Sequence, residues 1–527
     1  MRRDASKRRA IPDAVRRWPL LALLVLCACP KAPRAGITVL LESPPDSLDD
    51  RLALSANGQR VAQLIMPGLI TFDDHSEAVP DLAASFRRTD PLTIEITLRP
   101  HLTFHDGSAL DAASVKAEYD ALLSGAFPSP RADKVRTIDH VEVVDPLTLR
   151  FHLKHPDAPF LADLSLGLVP TSRATLPEGK KQDRSPIGAG PFRFVAQTDE
   201  DHLELAAFDG YYAGKPKVAH VFLRVVRDET TRVLELLKGR ADLTVNTVSP
   251  AVLPVLERAQ HLRVLKQQGT GFSYVAFNLR DDKLKDVRVR RAICEAIDVA
   301  PVVDHKFHGL AIPATGMLPH DHWAFAAEPG CKHDLADARR LLDEAGYLDP
   351  DGDGPRPRMT LAYKTSTDRF RRAIALVFKE QLSQVGIAVD LRSLEFGTFY
   401  NDVRHGNFEL FSMKWAAVIE PDLLRYVFGS EFIPTKENGF GGFNREAYQN
   451  PALDTLLNRA EQADRAERKV LYGQVQAILA RDLPYIPLWH ESSVAIASDR
   501  LQDYQPSAHG FLRPLAAARQ VEAGVAR

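Results

Sequence analysis

The chain has 527 residues, of which 45% are hydrophobic and 26% charged, and this composition is typical of a globular protein rather than a disordered one. Its 67 basic and 69 acidic residues give a net charge of −2. This balance argues against a nucleic-acid-binding protein, because such proteins usually carry a basic excess. Four cysteines in so long a chain exclude a scaffold held together by disulfides. The length indicates two large lobes or three to four smaller domains.

The first 28 residues have the pattern of an export signal. Seven basic side chains precede a short apolar run from Trp18 to Ala28, which is too short to span a bilayer. The run ends in Leu26-Cys27-Ala28-Cys29, which resembles the bacterial lipobox. The resemblance implies a lipoprotein signal peptide over 1–28 and a mature chain anchored through a diacylated Cys29. An ordinary signal peptide is the alternative, and Arg8-Arg9 is a weak sign of twin-arginine export. Loss of residues 1–28 changes the net charge from −2 to −7.

The predicted elements of the first half are strands with intervening helices. Alternating or continuous apolar residues predict strands over 37–41 and 93–98, two strands around a turn at 145–146, and a strand over 241–245 after a helix that Gly239 ends. Asp111 has the position of an N-cap for a helix beginning at Ala112. In His105-Asp106-Gly107 we expect a turn in which Gly107 has a positive φ and Asp106 accepts a backbone hydrogen bond.

Helices and strands alternate in the second half. Asp286 to Asp298 predicts an N-capped helix, and helices are also expected over 335–345, over 368–385 and after Asn450-Pro451. Strands are expected over 359–363 and 387–391. Because the strand, the helix and the next strand follow each other with short connections, they predict a βαβ unit with parallel strands.

Motifs for catalysis or metal binding are weak or absent. The chain has no G-x-S-x-G, H-E-x-x-H or G-x-x-x-x-G-K-[ST] sequence. His320-Asp321-His322 and the half calcium loop Asp349-x-Asp351-x-Asp353 are more typical of solvated turns, and Thr360 stands where a calcium loop needs Glu. We therefore expect no enzyme activity, no metal site and no cofactor. Cys294 is expected to be a buried thiol, with a disulfide to Cys331 as the alternative for an exported protein.

Several segments together resemble one family, the family 5 extracytoplasmic solute-binding proteins of peptide-type ABC transporters, which bind oligopeptides, dipeptides or nickel. The segments follow the family's order and cover nearly the whole mature chain. They are VPDLA from Val79, LRPHLTFHDGSALDAASVKAEYDALL from Leu98, PIGAGPFRF from Pro186, FDGYYAGKPK from Phe208, DETTRVLELLKGRADL from Asp228, YVAFNLRDDKLKDVRVRRAICEAID from Tyr274, YQNPALDTLLNRA from Tyr448 and DLPYIPLWH from Asp482.

The resemblance implies an α/β fold of the type II periplasmic-binding-protein kind, with two lobes and an additional α+β domain next to the first lobe. Lobe I would comprise residues 36–65, 185–275 and 487–527. The extra domain would comprise residues 66–184, and lobe II residues 276–486. Such lobes enclose a ligand as they close about a hinge.

The implied function is a lipid-anchored binding protein that captures a small solute, expected to be a dipeptide or oligopeptide, and delivers it to an ABC permease and its ATPase. The resemblance implies an exported monomer on the periplasmic or cell-surface side, held at the membrane by its lipid and binding no nucleic acid. Two alternatives stay open: a receptor that signals instead of transporting, and a binder of a non-peptide solute such as a nickel chelate or a sugar. A cell-envelope hydrolase lacks the residues it would need.

The segment from Ser412 to Phe428 resembles the pocket strand and loop of the family. There the resemblance implies that Trp415 lines the cavity and that Glu420 or Asp422 pairs with a peptide ammonium group, with the choice between the two left open. Tyr274 and Phe277 are further ligand-binding candidates, although either could lie in the lobe core instead. Asn278 is expected to hold backbone rather than ligand.

Overall fold

The computed structural model of the chain describes residues 36–175, 185–352 and 354–521. The strands are β1 (Ile37–Leu41), β2 (Ile70–Phe72), β3 (Ala78–Pro80), β4 (Ala83–Asp90), β5 (Thr93–Leu98), β6 (Ile138–Asp145), β7 (Thr148–Leu153), β8 (Phe192–Asp199), β9 (His202–Ala207), β10 (His220–Val225), β11 (Leu243–Val245), β12 (Leu262–Phe277), β13 (Ala311–Pro313), β14 (Met359–Ser366), β15 (Ile387–Leu394), β16 (Leu410–Trp415), β17 (Tyr485–Ser498), β18 (Leu501–Gln502) and β19 (Arg519–Gln520).

The helices are α1 (Ala56–Ile65), α2 (Ala112–Leu123), α3 (Phe160–Asp163), α4 (Glu229–Leu237), α5 (Leu253–Glu257), α6 (Val287–Ala296), α7 (Val299–Val302), α8 (Leu335–Glu344), α9 (Arg369–Ser383), α10 (Phe396–Arg404), α11 (Leu423–Phe428), α12 (Pro451–Gln462) and α13 (Arg465–Asp482).

Side-chain caps explain why the predicted helices begin where they do. Asp111 accepts from the backbone N–H of Ser114 at 2.9 Å, and the Ser114 hydroxyl satisfies the Asp111 N–H in return. Asp286 and Asn450 likewise accept from backbone N–H groups in the first turns of α6 and α12. These interactions are local, so the sequence is sufficient to predict them. The turn before α2 is confirmed as well, with a φ of 85° at Gly107.

One large mixed sheet runs through the structure. Its strand order is β15-β14-β16-β12-β17-β11-β1-β10-β9-β8, and β13 pairs with β17 outside this path. β14 is parallel to both β15 and β16, and β1 is parallel to both β10 and β11. The parallel pairing of β14 and β15 around α9 confirms the predicted βαβ unit.

Two long antiparallel strands, β12 and β17, join the two halves of this sheet. The first part of β12, up to Gln267, pairs with the part of β17 next to β11. The second part, from Gly271 on, pairs with β16 and with the beginning of β17. The register of the pair shifts between Gln267 and Gly271. A shift of this kind bends and twists a strand pair, so the chain changes direction here in both strands.

A separate antiparallel sheet, with the order β4-β5-β7-β6, lies within residues 83–153. Helix α2 packs on β6, and buried residues between Leu69 and Ala189 form a hydrophobic cluster of their own. Ile94, Ile96 and Phe151 in this cluster are fully buried. The segment therefore has an independent core, as an added domain requires.

The structure corrects the expectation for Cys294, which is not a free thiol. Cys294 in α6 and Cys331, ahead of α8, form a disulfide with a Cα–Cα distance of 5.9 Å. Helices α6 and α8 pack against each other, and this tertiary contact brings two cysteines 37 residues apart into bonding range.

The weak metal motifs are engaged in other contacts. His322 is buried, accepts from the Ala324 N–H at 3.1 Å and has a ring nitrogen 2.8 Å from the Ile419 carbonyl. Asp351 accepts from the Arg356 side chain, and Asp353 lies outside the described residues. Within the described ranges, no group of three or more His, Cys, Asp or Glu side chains could hold a metal ion.

The predicted signal peptide, the lipobox and Cys29 also lie outside the described residues. Among the helices of the described part, none is long and apolar enough to cross a membrane.

Candidate functional site

The carboxyl ends of the parallel strands in both halves of the sheet meet at the register shift of β12 and β17. On one side, Trp415 ends β16 and pairs with Phe272, which in turn pairs with His490. On the other side, Val245 ends β11 and pairs with Ala495, only five positions further along β17. Ligands of open α/β sheets bind outside the carboxyl ends of the strands. The convergence of both sets of ends therefore identifies the candidate site.

A polar cluster lies at this junction, formed by Ser273, Lys414, Trp489 and Glu491. The Ser273 hydroxyl donates to Glu491 Oε1 at 2.9 Å, the Trp489 indole lies 3.4 Å from the same oxygen, and Lys414 pairs with Oε2. The Lys414 and Glu491 side chains remain 24% and 25% exposed, so a molecule in the cleft can reach them. Burial opposes ionisation of Glu491, but Lys414, Arg371 and Ser273 outweigh it and hold its pKa below the usual value.

An aromatic cluster lies beside the polar one and consists of Tyr400, Trp415 and Phe443 around Arg445. Trp415 and Phe443 meet edge to face with ring centroids 5.5 Å apart. The Arg445 guanidinium lies 5.1 Å from the centre of the Tyr400 ring and 5.9 Å from that of Trp415. Trp415 is half-buried and Phe443 is 39% exposed, so this cluster presents open aromatic surface. The position of Trp415 fits the wall that the sequence predicts.

The two predicted acidic residues both have arginine partners inside the protein. Glu420 pairs with Arg468, and burial raises the pKa of Glu420 although Arg468 acts in the opposite direction. Asp422 is buried 3.4 Å from Arg425, and burial raises its pKa to about 7. Neither carboxylate is free of a cation in this structure, so pairing of either with a ligand ammonium stays a prediction.

The other predicted residues lie deeper. Tyr274 is 4% exposed and packs between Phe411 and Tyr485, and Phe277 is fully buried. Both side chains thus occupy the lobe core, which was one of the two alternatives, and direct ligand contact by either stays a prediction. Asn278 donates to the Phe408 carbonyl at 2.8 Å and therefore holds backbone, as expected.

Sequence reasoning missed Asn246 at the first-half edge of the site, where it bonds the backbone of Val494 in β17. Asn246 follows β11 directly and has a left-handed φ of 56°, a conformation that clusters at functional positions. A polar residue directly after a parallel strand is the signal that could have drawn attention to Asn246.

Comparison with known proteins identifies the family. The model of the bacterial extracellular solute-binding proteins, family 5, middle region, matches residues 77–431. The chain is also 30% identical over 503 residues to the glutathione-binding protein GsiB of Pectobacterium atrosepticum, covering 93% of this chain and 95% of that protein. The chain belongs to this family. The predicted family is confirmed, and because its members bind solutes, the expectation that the chain is not an enzyme is confirmed as well.

Solved structures agree on the fold of this family 5 protein. NikZ from Campylobacter jejuni in complex with Ni(L-His) has a TM-score of 0.81 at 23% identity, covering 93% of this chain and 100% of that one. The oligopeptide-binding protein AppA from Bacillus subtilis in complex with a nonapeptide has a TM-score of 0.78 at 23% identity, with the same coverage. These likenesses confirm the predicted two-lobe α/β fold with its additional domain.

Proposed function

We propose that this extracytoplasmic protein captures a peptide-like solute between its two lobes and delivers it to an ABC permease. The observation that carries the proposal is the convergence of strand ends at the β12–β17 junction, where accessible charged and aromatic groups lie side by side. Trp415 supplies an apolar wall, and the neighbouring Lys414 and Glu491 supply charges of both signs. A peptide has this same combination of apolar side chains and charged ends.

Closure would occur about the register shift in β12 and β17. Gly269 lies at this shift, and a Cβ added there would collide with the carbonyl oxygen of Glu491 and come within 2.8 Å of the Ser493 amide nitrogen. The two strands therefore approach closely where they change direction. We propose this point as the hinge, within the division into lobe I, extra domain and lobe II that the sequence predicts.

The choice of a peptide-like ligand draws on relatives. GsiB proteins of several bacteria are named for glutathione, and DppA from Helicobacter pylori was solved with the peptide STSA. Because NikZ was solved in complex with Ni(L-His), a nickel chelate is the second candidate class of ligand. In the described part of this chain no set of side chains could hold the metal alone, so a chelate would have to bring its own ligands.

The ligand test is native mass spectrometry of the purified protein, followed by titration calorimetry with glutathione, dipeptides, a nonapeptide, nickel with histidine, and a sugar. We expect a peptide or glutathione to bind, and Trp415→Ala to weaken binding roughly 30-fold or more, as loss of an aromatic anchor does. Leu348→Ala, at a side chain that is 66% exposed elsewhere, is the matched control. Binding of the sugar alone, or release of a chemically altered ligand, would refute the proposal.

The acidic partner of a ligand ammonium can be assigned with the same assay. Glu491→Gln, Glu420→Gln and Asp422→Asn each remove one carboxylate with little change of shape. We expect Glu491→Gln to weaken binding most, because Glu491 lies at the strand-end junction. A larger loss from Glu420→Gln or Asp422→Asn would instead favour the assignment made from sequence.

We also propose that the protein lies outside the cytoplasm and is anchored to a membrane by two acyl chains on Cys29. Support comes from the lipobox-like Leu26-Cys27-Ala28-Cys29 after a basic and apolar leader. Cys29→Ala should release the protein into the soluble fraction, whereas Cys27→Ala should not. A Cys29→Ala protein that stays with the membrane would rule out this anchor.

A further inference from the structure

The additional domain predicted over residues 66–184 is packed firmly onto the predicted first lobe. Its hydrophobic cluster includes Ala189 and contacts Leu52, and both of these residues belong to that lobe. Asp81, which is fully buried, pairs with Arg513 of the same lobe. Separating the two parts would expose apolar surface to water, which is unfavourable. We therefore expect the additional domain to move together with the first lobe.

The contact of this domain with residues 276–486, the predicted second lobe, has a different character. It includes the turn between α12 and α13, where the Ala158 N–H donates to the Glu461 carbonyl at 2.7 Å. At the same turn, Glu77 pairs with Arg465 through both of its carboxylate oxygens. The Glu77 and Arg465 side chains are 34% and 56% exposed. Because water reaches both groups, this pair can break and form again as the lobes open and close.

Glu77 is held in position by the tip of the β2–β3 hairpin. The Asp73 carboxylate accepts from the Glu77 N–H at 2.9 Å, and the Asp73 N–H donates to the Glu77 carbonyl at 3.0 Å. The tip also contacts the first lobe, since the Asp73 carbonyl lies 2.8 Å from His509 Nε2. Next to it, Asp74 accepts from the Ala508 N–H at 2.9 Å. The hairpin tip therefore reaches from the first lobe to the second and presents Glu77 on a fixed backbone.

Arg465 is oriented by a residue of its own lobe. Its guanidinium lies 4.4 Å from the centre of the Trp323 ring, which is a cation–π contact. Its backbone is the first residue of α13, a helix capped by Asp464. Both partners are thus positioned before they meet, so that pairing costs little conformational freedom. Guanidinium and carboxylate then meet in the bidentate geometry, which is the most favourable one for an exposed ion pair.

We infer that Glu77 and Arg465 form a latch by which the additional domain holds the second lobe in the closed position. They are positioning residues that slow the release of a ligand, although neither belongs to the candidate site at the strand ends. The inference rests on the proposed function, because it requires lobes that close over a solute. An interaction made only in the closed form raises the closed population, and with it the affinity, by the factor that its own free energy supplies. For an exposed ion pair this factor is about 2- to 5-fold.

The test measures the affinity and the dissociation rate of glutathione on the purified mature protein, by titration calorimetry and stopped-flow fluorescence. Glu77→Gln should weaken binding about 2- to 5-fold, mainly through faster release. Glu77→Arg places a like charge against Arg465 and should weaken binding further. Combining Glu77→Arg with Arg465→Glu should restore much of the loss, because opposite charges meet again. Exchange of the two charges would not rescue a residue whose role is merely structural.

Glu467→Gln is the matched control. Glu467 pairs with Arg459 at 2.8 Å, and these side chains are 49% and 59% exposed. This pair also joins α12 to α13, but both partners belong to the predicted second lobe, so its loss should leave glutathione binding unchanged. In high salt the difference between wild type and Glu77→Gln should shrink, because exposed charges are screened. Thermal melting of every variant shows whether the fold is intact.

Small-angle X-ray scattering of the ligand-free protein separates the latch from the choice of ligand. Glu77→Arg should increase the radius of gyration by favouring the open form, and the variant with exchanged charges should reverse this increase. If wild type and Glu77→Arg release glutathione at the same rate, or if the exchanged charges restore nothing, the latch is refuted and solute capture stands. If wild type binds neither glutathione nor any of the peptides, the proposed ligand class is refuted. The radii of gyration then decide the latch, and equal values for wild type and Glu77→Arg would refute it.

Discussion

The disulfide between Cys294 and Cys331 should contribute substantially to the stability of residues 276–486, the predicted second lobe. It closes a loop with a sequence separation of 37 that contains β13, a strand paired with β17. For a loop of this length, the entropy that the cross-link removes from the unfolded chain corresponds to about 4 kcal/mol at 25 °C. Reduction should therefore lower the free energy of unfolding by about this amount.

Tryptophan fluorescence during urea unfolding can measure this effect selectively. Trp323 and Trp415 lie within residues 276–486, Trp489 packs against Phe307 and Phe378 of that segment, and the fourth tryptophan, Trp18, lies in the predicted signal peptide. The wild-type protein should unfold at a clearly lower urea concentration with a reductant than without it. A variant with both cysteines replaced by alanine should be insensitive to the reductant and serves as the control.

The reasoning is refuted if oxidised and reduced wild-type protein unfold at the same urea concentration. A second check is peptide mapping without reductant, which should recover the two cysteine-containing peptides as one linked species. Recovery of both as separate free thiols would contradict the pairing itself.

Three further predictions concern stability. Burial raises the pKa of Glu118 to about 8, so folding favours its neutral form and the free energy of unfolding should fall as pH rises from about 4.5 through 8. Glu118→Gln should remove this loss, which is measured as the difference in unfolding free energy between pH 5 and pH 8. Gly269→Ala should destabilise the protein by roughly 1–3 kcal/mol through its backbone collision, whereas Gly316→Ala, with nothing within 4 Å of the added Cβ, should melt like wild type. Glu77→Gln removes the partner of Arg465; because both side chains are partly exposed, the loss should stay below about 1 kcal/mol and shrink further in high salt, and a larger loss would mean that the pair is energetically central.

The amino-acid sequence was sufficient for features that depend on near neighbours. Strands β1 and β5 have the predicted bounds, and the capping oxygens of Asp111 and Asn450 accept from backbone N–H groups in the first turns of their own helices. Such hydrogen bonds span three or four residues, so their partners are already present in the local sequence. The family resemblance then supplied the two-lobe fold, which the comparisons confirm.

Only the tertiary structure decided which distant groups meet. Cys294 bonds to Cys331 because α6 packs on α8, and Glu420 pairs with Arg468 on α13, 48 positions further along the chain. Asn246, directly after β11, likewise meets Val494 of β17 only in the folded chain, although the two residues are 248 positions apart. Periodicity shows which face of an element is buried, and capping residues show where a helix begins. The chemistry of a cleft depends instead on strand order, because strand order brings together side chains that no local pattern connects.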